Sequence, residues 1–315
     1  MEKLLSLCAN FIKGFTQPIN YTKVKNDLES ITQHNYDMCN IPFQPDIRFE
    51  EIDTFGTCGK VLNQGKTIVF NKKRLETLIN LNIDCFDENH LNNLWNFYDS
   101  FNDSSSTSKY QKCLYAYMQK YISLNVTQYF SQMGSVKNIP FELIETLIHE
   151  NQHVFQQHFW TMLLNGNIEP TKQNATMIFT MTFQSVYNQL KNNNIENDYV
   201  RENYIFPIEF DARYTTMHIL YELYKKHFNG DKIFYRSIVN SNIIPDNFDI
   251  ESTVDKMFDD YLMVYEKFQA ISPEMHKSEH DFICSNKHTI VQELKRRYSE
   301  MLSICNKQGN NKQHQ

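Results

Sequence analysis

Two histidines four residues apart, His149 and His153, stand in the run Ile148-His149-Glu150-Asn151-Gln152-His153-Val154. On a helix, positions i and i+4 share one face, so both imidazoles can reach a single metal ion. Glu150 follows the first histidine directly. Its carboxylate would point beside such a metal and suits a general base that holds the metal's water. Two neutral nitrogen ligands for Zn²⁺ plus a carboxylate base are the parts of metal-assisted hydrolysis. Phe141, Leu143, Ile144, Leu147, Ile148, Val154, Phe155 and Phe159 make the segment apolar on more than one side, so the helix should be buried. Imidazoles and a carboxylate inside a buried helix need partners, and a metal supplies one.

A catalytic zinc takes three protein ligands and leaves a position for water. A third histidine in the pattern HExxHxxGxxH is missing: Gln156 occupies the glycine position, Phe159 the histidine position, and His158 is one residue out of register. A downstream acid is the other source. In Tyr204-Ile205-Phe206-Pro207-Ile208-Glu209-Phe210-Asp211-Ala212-Arg213, Pro207 opens a long helix and Glu209 falls in its first turn, followed by the small Ala212. Glu209 is the expected third ligand, with Glu202 or Asp211 as replacements.

The run HENQH, followed about 55 residues later by Glu209-x-x-Ala212, resembles the gluzincin branch of the zincin metallopeptidases. The likeness covers residues from about 46 to 228. It implies a zincin-like α+β fold, with a small antiparallel sheet packed on an active-site helix and a mainly helical C-terminal lobe. It also implies one Zn²⁺ held by His149, His153 and Glu209, with Glu150 as general base. The expected function is a zinc-dependent metallopeptidase that hydrolyses peptide bonds in a peptide or protein substrate with a zinc-activated water. Lys66–Asn71 resembles the edge strand of such a sheet, where an extended peptide could pair by β-augmentation. One departure stands out. Many relatives carry an Asp four residues after the ligand Glu, and here that position is Arg213. Asp211 is available to orient a ligand histidine, but at a different spacing. Tyr204, Tyr214, His218 and Arg213 are the candidate donors to an oxyanion.

Rival chemistries leave their own marks. A di-iron carboxylate bundle needs a second ExxH, and none occurs. His276, His280, Cys284 and His288 are spaced by four, so a helix opened by Pro273 would align them as a second metal stripe or as an incidental surface stripe. The non-enzymatic alternative is a helical interaction protein on a zincin-like scaffold, its zinc structural or lost. Structural zinc has no use for Glu150, whose presence favours the enzyme. Hydrolysis of a non-peptide bond is a further option.

The elements that must position these residues follow from pattern. Residues 1–45 form an N-terminal helical segment punctuated by Pro42 and Pro45. Short β-rich runs separated by glycine turns lie between about 46 and 71 and predict an antiparallel meander. Helices are expected over roughly 72–81, 87–101, 108–123, 138–164, 172–191, 207–228, 252–270 and 286–305, with Gly230 as a stop signal. The resulting organisation is an N-terminal segment 1–45, a sheet and active-site-helix lobe 46–165, a helical lobe 166–305 that supplies the third ligand, and a polar tail 306–315.

Composition narrows the partners. The chain of 315 residues carries 31 Lys+Arg against 37 Asp+Glu, a formal charge of −6, so it offers no basic footprint for nucleic acid. Only 8 Gly and 8 Pro favour long helices over a many-stranded barrel. Seven cysteines without a CxxC suggest reduced thiols. No signal-peptide pattern and no run of about 18 apolar residues is found, so a soluble cytoplasmic protein with no membrane partner is expected.

Overall fold

The computed structural model describes residues 1–16, 18–52, 58–63, 66–80, 138–193, 207–241 and 249–306. The fold is α+β: mostly helical, with one three-stranded mixed sheet. In chain order the elements are α1 (Glu2–Gly14), α2 (Tyr21–Met38), β1 (Asp46–Glu50), β2 (Gly59–Leu62), β3 (Thr67–Asn71), α3 (Lys72–Asn80) and α4 (Asn138–Leu164), then α5 (Ala175–Asn192), α6 (Pro207–His227), α7 (Lys232–Ser241), α8 (Ile250–Gln269), α9 (Lys277–Ser285) and α10 (Lys287–Asn306). Two compact units emerge: Met1–Asn151 with Ile219–Ser241, and Gln152–His218 with Asn242–Gln315.

In the first unit, α1 buries Leu4, Leu5, Cys8, Ala9 and Phe11, and α2 buries Val24, Leu28, Ile31 and Tyr36. The expected helical N-terminus is thus two amphipathic helices. Asn20 caps the second by accepting the Lys23 N–H at 3.0 Å. The sheet differs from the antiparallel meander. Its order is β1-β3-β2, with β3 antiparallel to β2 (Gly59 opposite Phe70) but parallel to β1 (Ile47 opposite Ile68). Every residue of β3 is buried. A strand apolar on both faces belongs in the middle of a covered sheet, and sequential hairpins would have left it at the margin. Lys66–Asn71 is therefore a central strand with both sides paired, so it does not serve as the edge for β-augmentation.

Helix α3 follows β3 directly. The Asn71 carboxamide oxygen accepts the Arg74 N–H at 3.1 Å, and the buried Arg74 guanidinium forks onto Glu142 of α4 at 2.6 and 3.2 Å. On α4, 27 residues long, Phe141, Leu143, Ile144, Leu147 and Ile148 are all buried. Pro140 lies in its first turn, where a missing N–H goes unneeded. Strand β2 comes very close to this helix at Gly59: a Cβ there would stand 2.6 Å from Thr146 Cγ2 and 3.6 Å from Glu150 Cγ. Glycine permits that approach.

Among its described residues the second unit has helices and no strand. Its core holds Phe179 stacked on Phe258 (5.6 Å between ring centroids) and Phe183 edge-on to Tyr261 (5.7 Å), joining α5 to α8. Six of the expected helices appear within a few residues of their expected ends; those over 87–101 and 108–123 lie outside the described residues. Of the two short helices, α7 was not anticipated, and α9 answers to the helix considered behind Pro273 but begins later, at Lys277. Helix α7 starts just after Gly230 (φ +87°), and Asp231 caps it by accepting the Phe234 N–H at 3.0 Å. Helix α9 starts behind His276, which adopts a left-handed φ of 58°. Among the described residues no helix is long and apolar enough to cross a membrane, and Cys8, Cys39, Cys58, Cys284 and Cys305 are in no disulfide.

Candidate metal centre

His149 and His153 lie one turn apart on the continuous α4, and Glu209 is the third residue of α6. One ligand atom from each of the three lies within 4.8 Å of the others. His153 Nε2 stands 3.3 Å from Glu209 Oε1. Zinc bonds of roughly 2.0–2.1 Å set at tetrahedral angles give a ligand-to-ligand edge of about 3.3 Å. The structure therefore brings together the three residues singled out as ligands. Glu209 sits in the first turn of its helix, where the dipole favours a carboxylate, and its side chain is 44% exposed. Glu150 is buried on α4, pinned beside Gly59.

The other nitrogen of His153 has a defined partner. Nδ1 lies 2.8 Å from the Oε1 of Gln156, one turn along α4. The Gln156 amide donates in turn to the Ile208 carbonyl (3.0 Å) and to Asp211 Oδ2 (2.7 Å). Gln152 donates to the same carboxylate oxygen at 2.7 Å, and Arg297 of α10 pairs with Asp211 Oδ1. Asp211, named above as available to orient a histidine, reaches His153 one residue removed, through the Gln156 amide: Glu209 faces Nε2 and Asp211 the two glutamines. Gln152 and Gln156 were missed. Their signal was present, because they repeat the i, i+4 spacing of the histidines on the adjoining stripe of the helix.

With Nδ1 against the Gln156 amide oxygen, the other ring nitrogen, Nε2, faces a Glu209 carboxylate oxygen at 3.3 Å. Two imidazoles and a carboxylate form a donor set that suits zinc.

Arg297 is boxed in from α6 and α10. Burial would lower its pKa, but Asp211 and Glu293 outweigh that and raise it. Glu293 is held down at about 2 by hydrogen bonds from Arg296 and Arg297. The Tyr214 ring lies under Arg297, 5.0 Å from ring centroid to guanidinium carbon, and its hydroxyl donates to Glu300 at 2.7 Å. Tyr214 is therefore engaged with the charged face of α10. Arg213 and His218 are exposed; Tyr204 and Glu202 lie outside the described residues.

The four-residue stripe at the C-terminal end is not one helical face. His276 precedes α9, His280 and Cys284 are on it, and His288 belongs to α10. His276 Nε2 bonds Ser185 Oγ at 2.9 Å. His280 stacks on Tyr265 at 3.7 Å and bonds the Tyr261 hydroxyl at 3.0 Å through Nδ1. Burial lowers the pKa of both histidines. These partners tie α9 to α5 and α8. Among the described residues only His149, His153 and Glu209 form a group able to hold a metal.

Comparison with protein-family models, curated proteins and solved structures finds no match to this chain.

Proposed function

We propose that the protein is a zinc-dependent metallopeptidase of the gluzincin type, with His149, His153 and Glu209 as metal ligands and Glu150 as general base. The convergence of the three ligand atoms, with His153 Nε2 and Glu209 Oε1 one tetrahedral edge apart, carries this reading. A zinc ion there would supply a Lewis acid for the scissile carbonyl and lower the pKa of its water. The chain's own groups do the rest. His153, with its proton on Nδ1, offers Nε2. Glu209 contributes an anionic oxygen that is half exposed, leaving that side of the site open to water and substrate. The Glu150 carboxylate, buried and next in sequence to His149, receives the proton of the attacking water and returns it to the leaving amine. Glu150 stands outside the group of three able to hold a metal, which supports a base in a hydrolytic site over the fourth ligand that would close a structural one.

The test is metal content of the purified full-length chain, followed by hydrolysis of a mixed peptide library. About one zinc per chain is expected, lost or greatly weakened in His153→Ala and Glu209→Ala, with cleavage that depends on the metal. Absence of zinc after reconstitution sinks the metal site. Bound zinc without cleavage of any peptide moves the protein to the interaction class.

A further inference from the structure

We infer that Gln156 is a positioning residue that fixes the tautomer of His153, and that Asp211 and the Ile208 carbonyl dictate which way its amide faces. The inference rests on the metal-site reading for its purpose but on separate contacts for its geometry.

An amide can be turned either way, so its orientation needs a reason. Gln156 is fully buried, and one of its terminal atoms faces two groups that can only accept: the Ile208 carbonyl at 3.0 Å and Asp211 Oδ2 at 2.7 Å. Both Asp211 oxygens already face donors, with Arg297 paired to Oδ1 and Gln152 donating to Oδ2. Only the NH₂ group, with two protons, satisfies both acceptors; the reverse orientation sets oxygen against oxygen twice. The amide oxygen is thereby forced toward His153, 2.8 Å from Nδ1. An oxygen there demands Nδ1–H. The consequence is that Nε2, the atom facing Glu209, keeps its lone pair for a metal in the neutral ring.

The relay also sets the strength of the ligand. A carboxylate directly on Nδ1 would push negative charge into the imidazole. A carboxamide in between passes orientation while keeping the charge of Asp211 one residue back, neutralised by Arg297.

The experiment uses the full chain with zinc alone as probe. The ¹⁵N signals of the histidine rings, with His153 identified by its loss in His153→Ala, report which nitrogen bears a proton. The inference expects a proton on His153 Nδ1 both with and without zinc, and a bare Nδ1 in either state overturns it. Zinc affinity, read by competition with a chromophoric chelator, should fall about 10–100-fold in Gln156→Leu. In that variant Asp211 keeps Gln152 and Arg297, so the fold has reason to persist, and circular dichroism checks that it does. Unchanged affinity in a folded Gln156→Leu also overturns the inference. Gln156→Glu should retain more affinity than Gln156→Leu, because an oxygen still faces Nδ1; a purely structural role for the amide predicts the reverse, since the added charge would repel Asp211. Should the wild type take up no zinc, the proposed function fails while the tautomer measurement still decides the relay.

Discussion

Gly59 and Glu150 are separated by 91 positions, yet the site where Gly59 would carry a Cβ lies only 3.6 Å from Glu150 Cγ. The closest neighbour of that position is Thr146 Cγ2 at 2.6 Å, and the Val69 carbonyl oxygen is at 3.1 Å. A strand backbone thus forms one wall of the niche that holds the proposed base. Its side chain is confined by a residue that has none.

Gly59→Ala should therefore overpack this contact. We expect a loss of about 1–3 kcal/mol in stability, measured by thermal or urea unfolding, with any peptidase activity falling further than the stability loss explains. Adding Thr146→Ser removes the methyl group in conflict and should restore part of the stability, the contact to Val69 remaining. A fully stable Gly59→Ala would show that β2 does not approach α4 this closely.

Glu150→Gln should separate binding from chemistry. The carboxamide keeps the volume and removes the proton acceptor, so zinc content should match wild type while the rate of peptide hydrolysis drops by about 10²–10⁴. Equal rates would remove Glu150 from the proposed role.

Arg74 and Glu142 form a forked ion pair whose side chains are 7% and 21% exposed. Removing only Arg74, as in Arg74→Leu, leaves the Glu142 carboxylate with its charge uncompensated, at an expected cost of about 3 kcal/mol. The double change Arg74→Leu with Glu142→Leu should cost less, because two apolar groups need no partners. Denaturant midpoints of the three variants decide the matter; a double variant worse than the single one would contradict it.

Glu293 gives a defined acid response. Arg296 and Arg297 hold its carboxyl at about 2, below the ordinary 4.5. The folded state therefore binds this proton less readily than the unfolded chain. The stabilisation is complete above about 4.5 and is lost as pH falls toward about 2. Glu293→Gln has no such charge to hold. Its melting temperature should lie below wild type at neutral pH, and the difference should shrink through that window. Parallel curves for the two proteins would show that the carboxylate is not coupled to folding.

Much of the site was legible before the fold was known. The i, i+4 histidines, the adjacent Glu150, and a carboxylate behind Pro207 in the first turn of a helix are local features. Helix geometry alone places such side chains on known faces. The helices themselves were legible for the same reason: apolar spacing along α4, α8 and α10 reports the face that must be buried. Short α7 escaped notice because its ten residues are set by a cap more than by a long stripe, and α9 begins behind the left-handed His276, later than the start considered at Pro273.

What the sequence determined by itself is the inventory of donor groups and their spacing along each helix, since both depend on neighbours a turn apart. Tertiary structure decided the pairings between distant segments. Lys66–Asn71 read as a strand, but only burial on both faces made it the centre of a mixed sheet with β1 running parallel to it. Glu209 was one of three acids considered for the third ligand position. Its reach to His153 Nε2, while Asp211 turns to Gln152 and Gln156, follows from how the start of α6 meets the second half of α4. Which amide orients the imidazole could not be read from spacing, because a hydrogen bond depends on distance and direction in space, and those are settled only when the helices pack.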